Sequence, residues 1–214
     1  MPEELLFETG TSEEARERAA ATWGIAPEDV EVQVTEEEKR FLGLFGKRLK
    51  VRAVPRFPLP VLRARDRSRD LLALMELDVE GALSEEGIDL SGEDAGIVIG
   101  RYGETLKALE YLTNLTLRDE FPEAGRVRFD SGGYRARRET SLERLAEASA
   151  RDAARRGRPI YLEPMSSWER RIVHLALKDD PDVETRSVGE EPFRKVVLWP
   201  KHARNEAPRR RVRG

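Results

Sequence analysis

Two short strings stand out for what their backbone and side chains could hold. Gly100-Arg101-Tyr102-Gly103 lies between two apolar stretches. With no Cβ at either end, such a quartet lets a sugar–phosphate chain come close, and the first N–H groups of the helix that follows, helped by its dipole, face the phosphates. Arg101 supplies one cation, and Lys107 supplies another one turn into that helix. A tight corner between two helices with no ligand uses the same residues and fits the local pattern equally well. The second string is Arg170-Arg171-Ile172-Val173-His174, continued by Lys178. Arg170 and His174 stand four apart, so with Lys178 they form one helix stripe, opposite Trp168, Ile172, Leu175 and Ala176. Arg donates in a fork to phosphate oxygens, and His donates or stacks. Plain solvated surface is the ordinary alternative for such a pair.

Other chemistries find little support. The chain has no Cys, and its only His are 174 and 202, which argues against thiol nucleophiles, thiolate metal sites and His-rich zinc or haem sites. No Gly-x-x-x-x-Gly-Lys-Ser/Thr loop is present for a nucleotide. The carboxylate runs Glu36-Glu37-Glu38, Asp179-Asp180 and Glu190-Glu191 suit solvated faces, and no second titrating group is tied to His174 as a nuclease would need. The expectation is a non-enzymatic protein without cofactor or metal. No window approaches the roughly 18–20 apolar residues of a membrane span. Met1-Pro2-Glu3-Glu4 is unlike a secretory start, so the expected compartment is the cytoplasm.

Net charge is −3, but it is distributed in blocks: −8 over residues 1–40, +7 over 41–70, −9 over 71–120 and +7 over 121–214. A polyanion responds to local potential within about 8–10 Å, so the total does not exclude nucleic acid. Solvated faces with Arg–Glu pairing explain the same blocks without any ligand.

Charged residues make up 37% of 214 and the hydrophobic set 39%, which favours several small cores over one large one. The periodicity predicts an α+β chain of three modules. Residues 1–53 form a βαββ unit, with a capping box at Thr11-Ser12-Glu13-Glu14 and alternating valines at 30, 32 and 34. Residues 54–69, with Pro55, Pro58, Pro60 and five arginines, are expected to be a basic, extended linker. Residues 70–132 give the order helix, strand, strand, helix, loop, helix, strand, with Leu106, Leu109, Leu112 and Leu115 as one helical stripe and residues 126–129 as the last strand. Residues 133–200 open with a long helix over 134–156, its inner face Leu142, Leu145, Ala146 and Ala153, stopped by Gly157. A strand, a second capping box at Ser166-Ser167-Trp168-Glu169 and a closing strand pair follow. Residues 201–214 carry six Lys and Arg against Glu206 and are expected to be a disordered tail.

The string Ile99-Gly100-Arg101-Tyr102-Gly103-Glu104-Thr105-Leu106 resembles the core of a KH domain, whose Gly-x-x-Gly loop clamps about four nucleotides of single strand. The element order around it resembles the type II form, helices on a three-stranded sheet. Tyr102 departs from the pattern, since a second basic residue is common there. The fuller string from Ser91 to Leu115 is similar to the Jag/KhpB family of bacterial RNA-binding proteins. Glu163-Pro164-Met165 through His174, with Asp179-Asp180-Pro181-Asp182 and Glu190-Glu191-Pro192-Phe193 beyond, resembles that family's Arg-x-x-x-His (R-three-H) single-strand-binding domain. Lys39-Arg40-Phe41-Leu42-Gly43 resembles the Phe-Leu-Gly signature of its N-terminal domain, extended here into a second Gly-x-x-Gly that encloses Leu44 and Phe45.

The resemblance implies a binder of single-stranded RNA, with single-stranded DNA not distinguished, at Gly100, Arg101, Tyr102, Gly103 and Lys107 and at Arg170, Arg171, His174 and Lys178. It implies post-transcriptional control linked to cell elongation or division, a small stand-alone KH protein as a candidate partner, and a protein partner for the N-terminal unit. An interaction adaptor with acidic docking faces is the competing class, and a nuclease the more distant one.

Overall fold

The computed structural model describes residues 2–38, 48–84 and 87–202. The Phe41-Leu42-Gly43 segment and residues 203–214 of the expected tail lie outside the described residues. The chain is α+β, with three sheets of three strands each among the described residues. Two compact units carry them: residues 1–132 hold the first two sheets, and residues 133–214 hold the third.

The first sheet comprises β1 (Leu5–Thr9), β2 (Val30–Glu38) and β3 (Arg48–Pro55), antiparallel in the order β1-β3-β2. Helix α1 (Ser12–Trp23) packs on it through Ala15, Ala19, Ala20 and Trp23. Thr11 caps α1 by accepting from Glu14 N, and Gly24 ends it in the left-handed region at φ 62°. The Glu14 carboxylate turns back to accept from Thr9 Oγ1 at 2.8 Å and Gly10 N at 3.0 Å, and these bonds lower its pKa.

The expected extended linker is a helix, α2 (Leu59–Leu74). The prolines permit it because Pro58 is the N-cap and Pro60 lies in the first turn, where no intrahelical N–H is needed. Its arginines are largely engaged. Arg65 forks onto Asp29 at 2.6 and 2.9 Å, and Arg63 reaches Glu120, Trp23 O and Gly24 O. Leu59 and Leu62 join Trp23, Ile25, Val30 and Ala53 in one core, with Leu83 and Phe121 against it. This helix therefore packs on both the first sheet and the second.

The second sheet comprises β4 (Glu80–Ser84), β5 (Gly87–Ser91) and β6 (Phe129–Asp130) in the order β4-β5-β6, with β5 and β6 parallel. Helices α3 (Ala95–Ile99) and α4 (Glu104–Leu117) lie between β5 and β6 in the chain. The last strand is shorter than expected because Asn114 replaces part of its ladder. Its side chain accepts from Val127 N and donates to Val127 O, both at 2.8 Å. The leucine stripe also divides: Leu106 and Leu109 are buried, while Leu112 and Leu115 are exposed. A spacing of three lags a 3.6-residue turn, so four such residues wind half-way round the helix.

The third sheet comprises β7 (Ile160–Pro164), β8 (Val183–Val188) and β9 (Lys195–Pro200), antiparallel in the order β7-β9-β8. Helix α5 (Tyr134–Arg156) runs as expected to its cap at Gly157, with Leu142, Ala146, Ala150 and Ala153 buried but Leu145 exposed. Helix α6 (Ser167–Ala176) completes the unit. Both helices pack on the sheet face that bears Leu162, Val183, Val196 and Leu198.

Candidate nucleic-acid interface

The glycine quartet joins α3 to α4 by a single tight turn. Gly100 sits at φ 69°, ψ −172°, Tyr102 at φ 56°, ψ 27° and Gly103 at φ 77°, ψ 15°, so three of its four residues have positive φ. At Gly100 a Cβ would collide with the Thr105 side chain, so only glycine fits there. At Tyr102 a bulky residue occupies a region that costs about 1–2 kcal/mol. The result is a bare ridge of backbone in front of the first turn of α4. Arg101 lies over the Tyr102 ring, 5.1 Å from its centroid, and both residues are exposed, as is Lys107. The five expected residues of this loop are therefore brought together. Glu104, in the first turn of α4, is placed to answer the helix dipole, so that terminus is already partly satisfied. Ile97, one turn before the quartet, is also exposed. Sequence pattern places it in an apolar helix and so misses it. Its surroundings become visible only when α3 is seen to be five residues long.

On α6 the structure corrects the expected faces. Arg170 is 7% exposed and points inward with Glu169, Ile172 and Val173. Its Nη1 donates to Met165 O at 2.9 Å and to Glu191 Oε1 at 2.8 Å. Glu169 completes the capping box by accepting from Ser166 N at 2.8 Å, and it pairs with Arg138 of α5 at 2.8 Å. His174 is half-buried, with Nδ1 2.7 Å from Thr185 Oγ1 and Nε2 2.9 Å from Ser187 Oγ on β8. Burial, and then the nearby Arg170 charge, lower its pKa. Trp168, Leu175 and Ala176, expected inward, face solvent, with Trp168 38% and Leu175 57% exposed. Arg171, and Lys178 just past the helix end, are exposed as well.

The physical reason is a local cap joined to distant partners. A capping box requires Glu169 at the third helical position, and burying it against Arg138 turns its neighbour Arg170 inward too, where Met165 O and Glu191 satisfy it. Arg170 is thus a buried support and His174 a half-buried one, and the outward stripe is Trp168, Arg171, Leu175 and Lys178. Spacing alone finds Arg171 and Lys178. It misses Trp168 and Leu175 because apolar character is read as burial.

Two families match the sequence directly: the Jag N-terminus over residues 7–55 and the Arg-x-x-x-His (R-three-H) domain over residues 140–200. Among curated proteins, the RNA-binding protein KhpB of Bacillus subtilis is 31% identical over 193 residues, covering 87% of this chain and 93% of that protein. KhpB of Clostridium symbiosum is 46% identical over 114 residues, covering 53% of this chain and 51% of the relative. KhpB of Streptococcus pneumoniae strain D39 is 26% identical over 201 residues, covering 91% and 58%. The matched region thus spans about half the length of the Clostridium protein and nearly all of the Bacillus one.

Proposed function

The chain belongs to the Jag/KhpB family, and from that premise we propose that it binds single-stranded RNA at two places and performs no chemistry on it. The carrying observation is the bare backbone of the glycine quartet, with three positive-φ residues ahead of α4. In this reading the segment expected over 70–132, together with the whole of α2 that opens it at Leu59, acts as a type II KH module. A short unpaired stretch lies against Gly100 and Gly103, the first N–H groups of α4 face its phosphates, and Arg101 and Lys107 neutralise them. Tyr102, backed by Arg101, offers a ring to a base or ribose.

The second place is the solvent side of α6, where Arg171 and Lys178 meet a neighbouring backbone segment. Arg170 and His174 hold that helix to its sheet and touch the ligand indirectly. Two weak sites on one chain add affinity through effective concentration. Post-transcriptional control in the cytoplasm and pairing with a small KH protein belong to the same proposal and rest on the family alone. Among the described residues no helix is long and apolar enough to cross a membrane.

Anisotropy of a labelled single-stranded RNA and of a matched hairpin, each across a salt series, tests this. Preferential, salt-sensitive binding to the single strand is the expected outcome. Equal or absent binding at moderate salt defeats it.

A further inference from the structure

The outward stripe of α6 carries an aromatic ring as well as cations. Trp168 is the second residue of the helix, fixed there by the capping box that Ser166 and Glu169 form on either side of it. Arg171 follows about 4.5 Å and Leu175 about 10.5 Å further along the axis, on the same side. Trp168 and Leu175 are exposed although Met165, Ile172, Val173 and Leu177 fill the core beneath them. No residue among those described accepts from Trp168 Nε1. Elsewhere in this unit exposed cations meet carboxylates: Arg151 pairs with Glu147, Arg155 and Arg156 with Asp152, and Arg186 with Glu184. Arg171 and Lys178 have no such partner among the described residues. Asp180 is engaged by Asp182 N and Val183 N, and even with the exposed Asp179 beside Lys178 the stripe keeps an excess of positive charge.

Resting on the single-strand binding proposed above, we propose that Trp168 stacks on an unpaired base whose neighbouring phosphates lie on Arg171 and Lys178, with Leu175 against the sugar between them. An unpaired nucleotide offers all that the stripe lacks: a flat ring for Trp168, an acceptor for its Nε1 and anionic oxygens for the two cations. The ring gives α6 a task that cations alone cannot perform. A duplex presents the same phosphates, but its bases are stacked on one another and closed to Trp168, so this position separates single strand from duplex. Stacking accepts every base, because each has a π-face. The stripe therefore confers strand selectivity without sequence selectivity.

The test uses the full chain and a labelled single-stranded RNA octamer. Trp168→Ala should weaken binding about tenfold or more and leave the salt slope unchanged, and Trp168→Phe should stay close to the unmodified chain. In a Trp199→Phe chain, Trp23 is buried and Trp168 is the exposed tryptophan, so the octamer should quench its emission and a hairpin duplex should not. Absence of quenching by saturating octamer overturns the stack even if the alanine chain folds poorly. Equal quenching by the duplex overturns the strand selectivity. Undiminished affinity of a folded Trp168→Ala chain also overturns the stack: if Arg171→Ala with Lys178→Ala still flattens the salt slope, the phosphate contact on α6 stands without it, and if not, the stripe passes to a protein partner. If the unmodified chain binds no RNA, the single-strand reading itself falls.

Discussion

The glycine quartet and the Arg-x-x-x-His segment are both announced by a short fixed spacing, yet the structure treats them in opposite ways. In the loop the motif is the surface: Arg101 and Tyr102 are exposed, and glycine is required at position 100 by the Thr105 side chain. In α6 the motif is the support: Arg170 is buried on Met165 O and Glu191, and His174 spans two hydroxyls of β8. The surface is made by the residues between and around them. Motif spacing reports that a geometry is needed, and only burial tells whether its residues meet the ligand or hold those that do.

Stability should move most where the support is cut. Glu169→Ala removes the reciprocal cap of α6 and takes a buried carboxylate away from Arg138, at an expected cost of about 3–5 kcal/mol in urea unfolding. A loss below about 1 kcal/mol would mean the buried network is not what fixes the α6 faces. Next comes Gly103→Asp, which puts a carboxylate at the clamp. Single-strand affinity should fall at least about tenfold, for a folding cost of about 1–2 kcal/mol at a left-handed position. Equal affinity in the anisotropy assay would end the idea that this loop is the surface.

The sharpest contrast is within the α6 segment. Arg171→Ala with Lys178→Ala should flatten the slope of log affinity against log salt by about 1.4, since each phosphate contact to a single strand contributes about 0.7. Unfolding should change by no more than about 0.5 kcal/mol per site. Arg170→Ala should do the reverse, lowering stability and leaving the slope alone. Exchange of these two outcomes would reverse the assignment of support and surface.

The smallest effect is in pH. His174 has a folded-state pKa below 6.5, because burial and Arg170 disfavour its charged form. Its contribution to stability is therefore complete above about pH 6.5 and is lost as pH falls through the lower, folded value. His174→Gln should shallow the acid limb of the stability profile, and an unchanged limb would show that protonating the imidazole costs the fold nothing.

Much of the architecture is legible in the chain because it obeys short-range rules. The long helix over 134–156, the capping threonine and serine of α1 and α6, and the valine-rich strands follow from periodicity and capping alone. The departures share one cause: residue type is a poor proxy for burial. Proline and arginine at 54–69 suggest a solvated extended segment, yet prolines fit a first helical turn and Arg65 is satisfied by Asp29, 36 positions away. Pattern sends Trp168 and Leu175 inward and Arg170 outward, because the partners that decide the matter, Arg138 and Glu191, are distant in sequence.

Helix α2 decides where the N-terminal unit can be cut. The boundary suggested by the family match falls at residue 55, before α2 begins. A fragment cut there would bring Trp23, Ile25 and Ala53 into water without Leu59 and Leu62, and Asp29 would lose the Arg65 fork. The N-terminal piece is therefore not a free cassette. A chain cut at residue 55 should therefore unfold at lower urea than one cut after Leu74, which keeps the helix that closes this core.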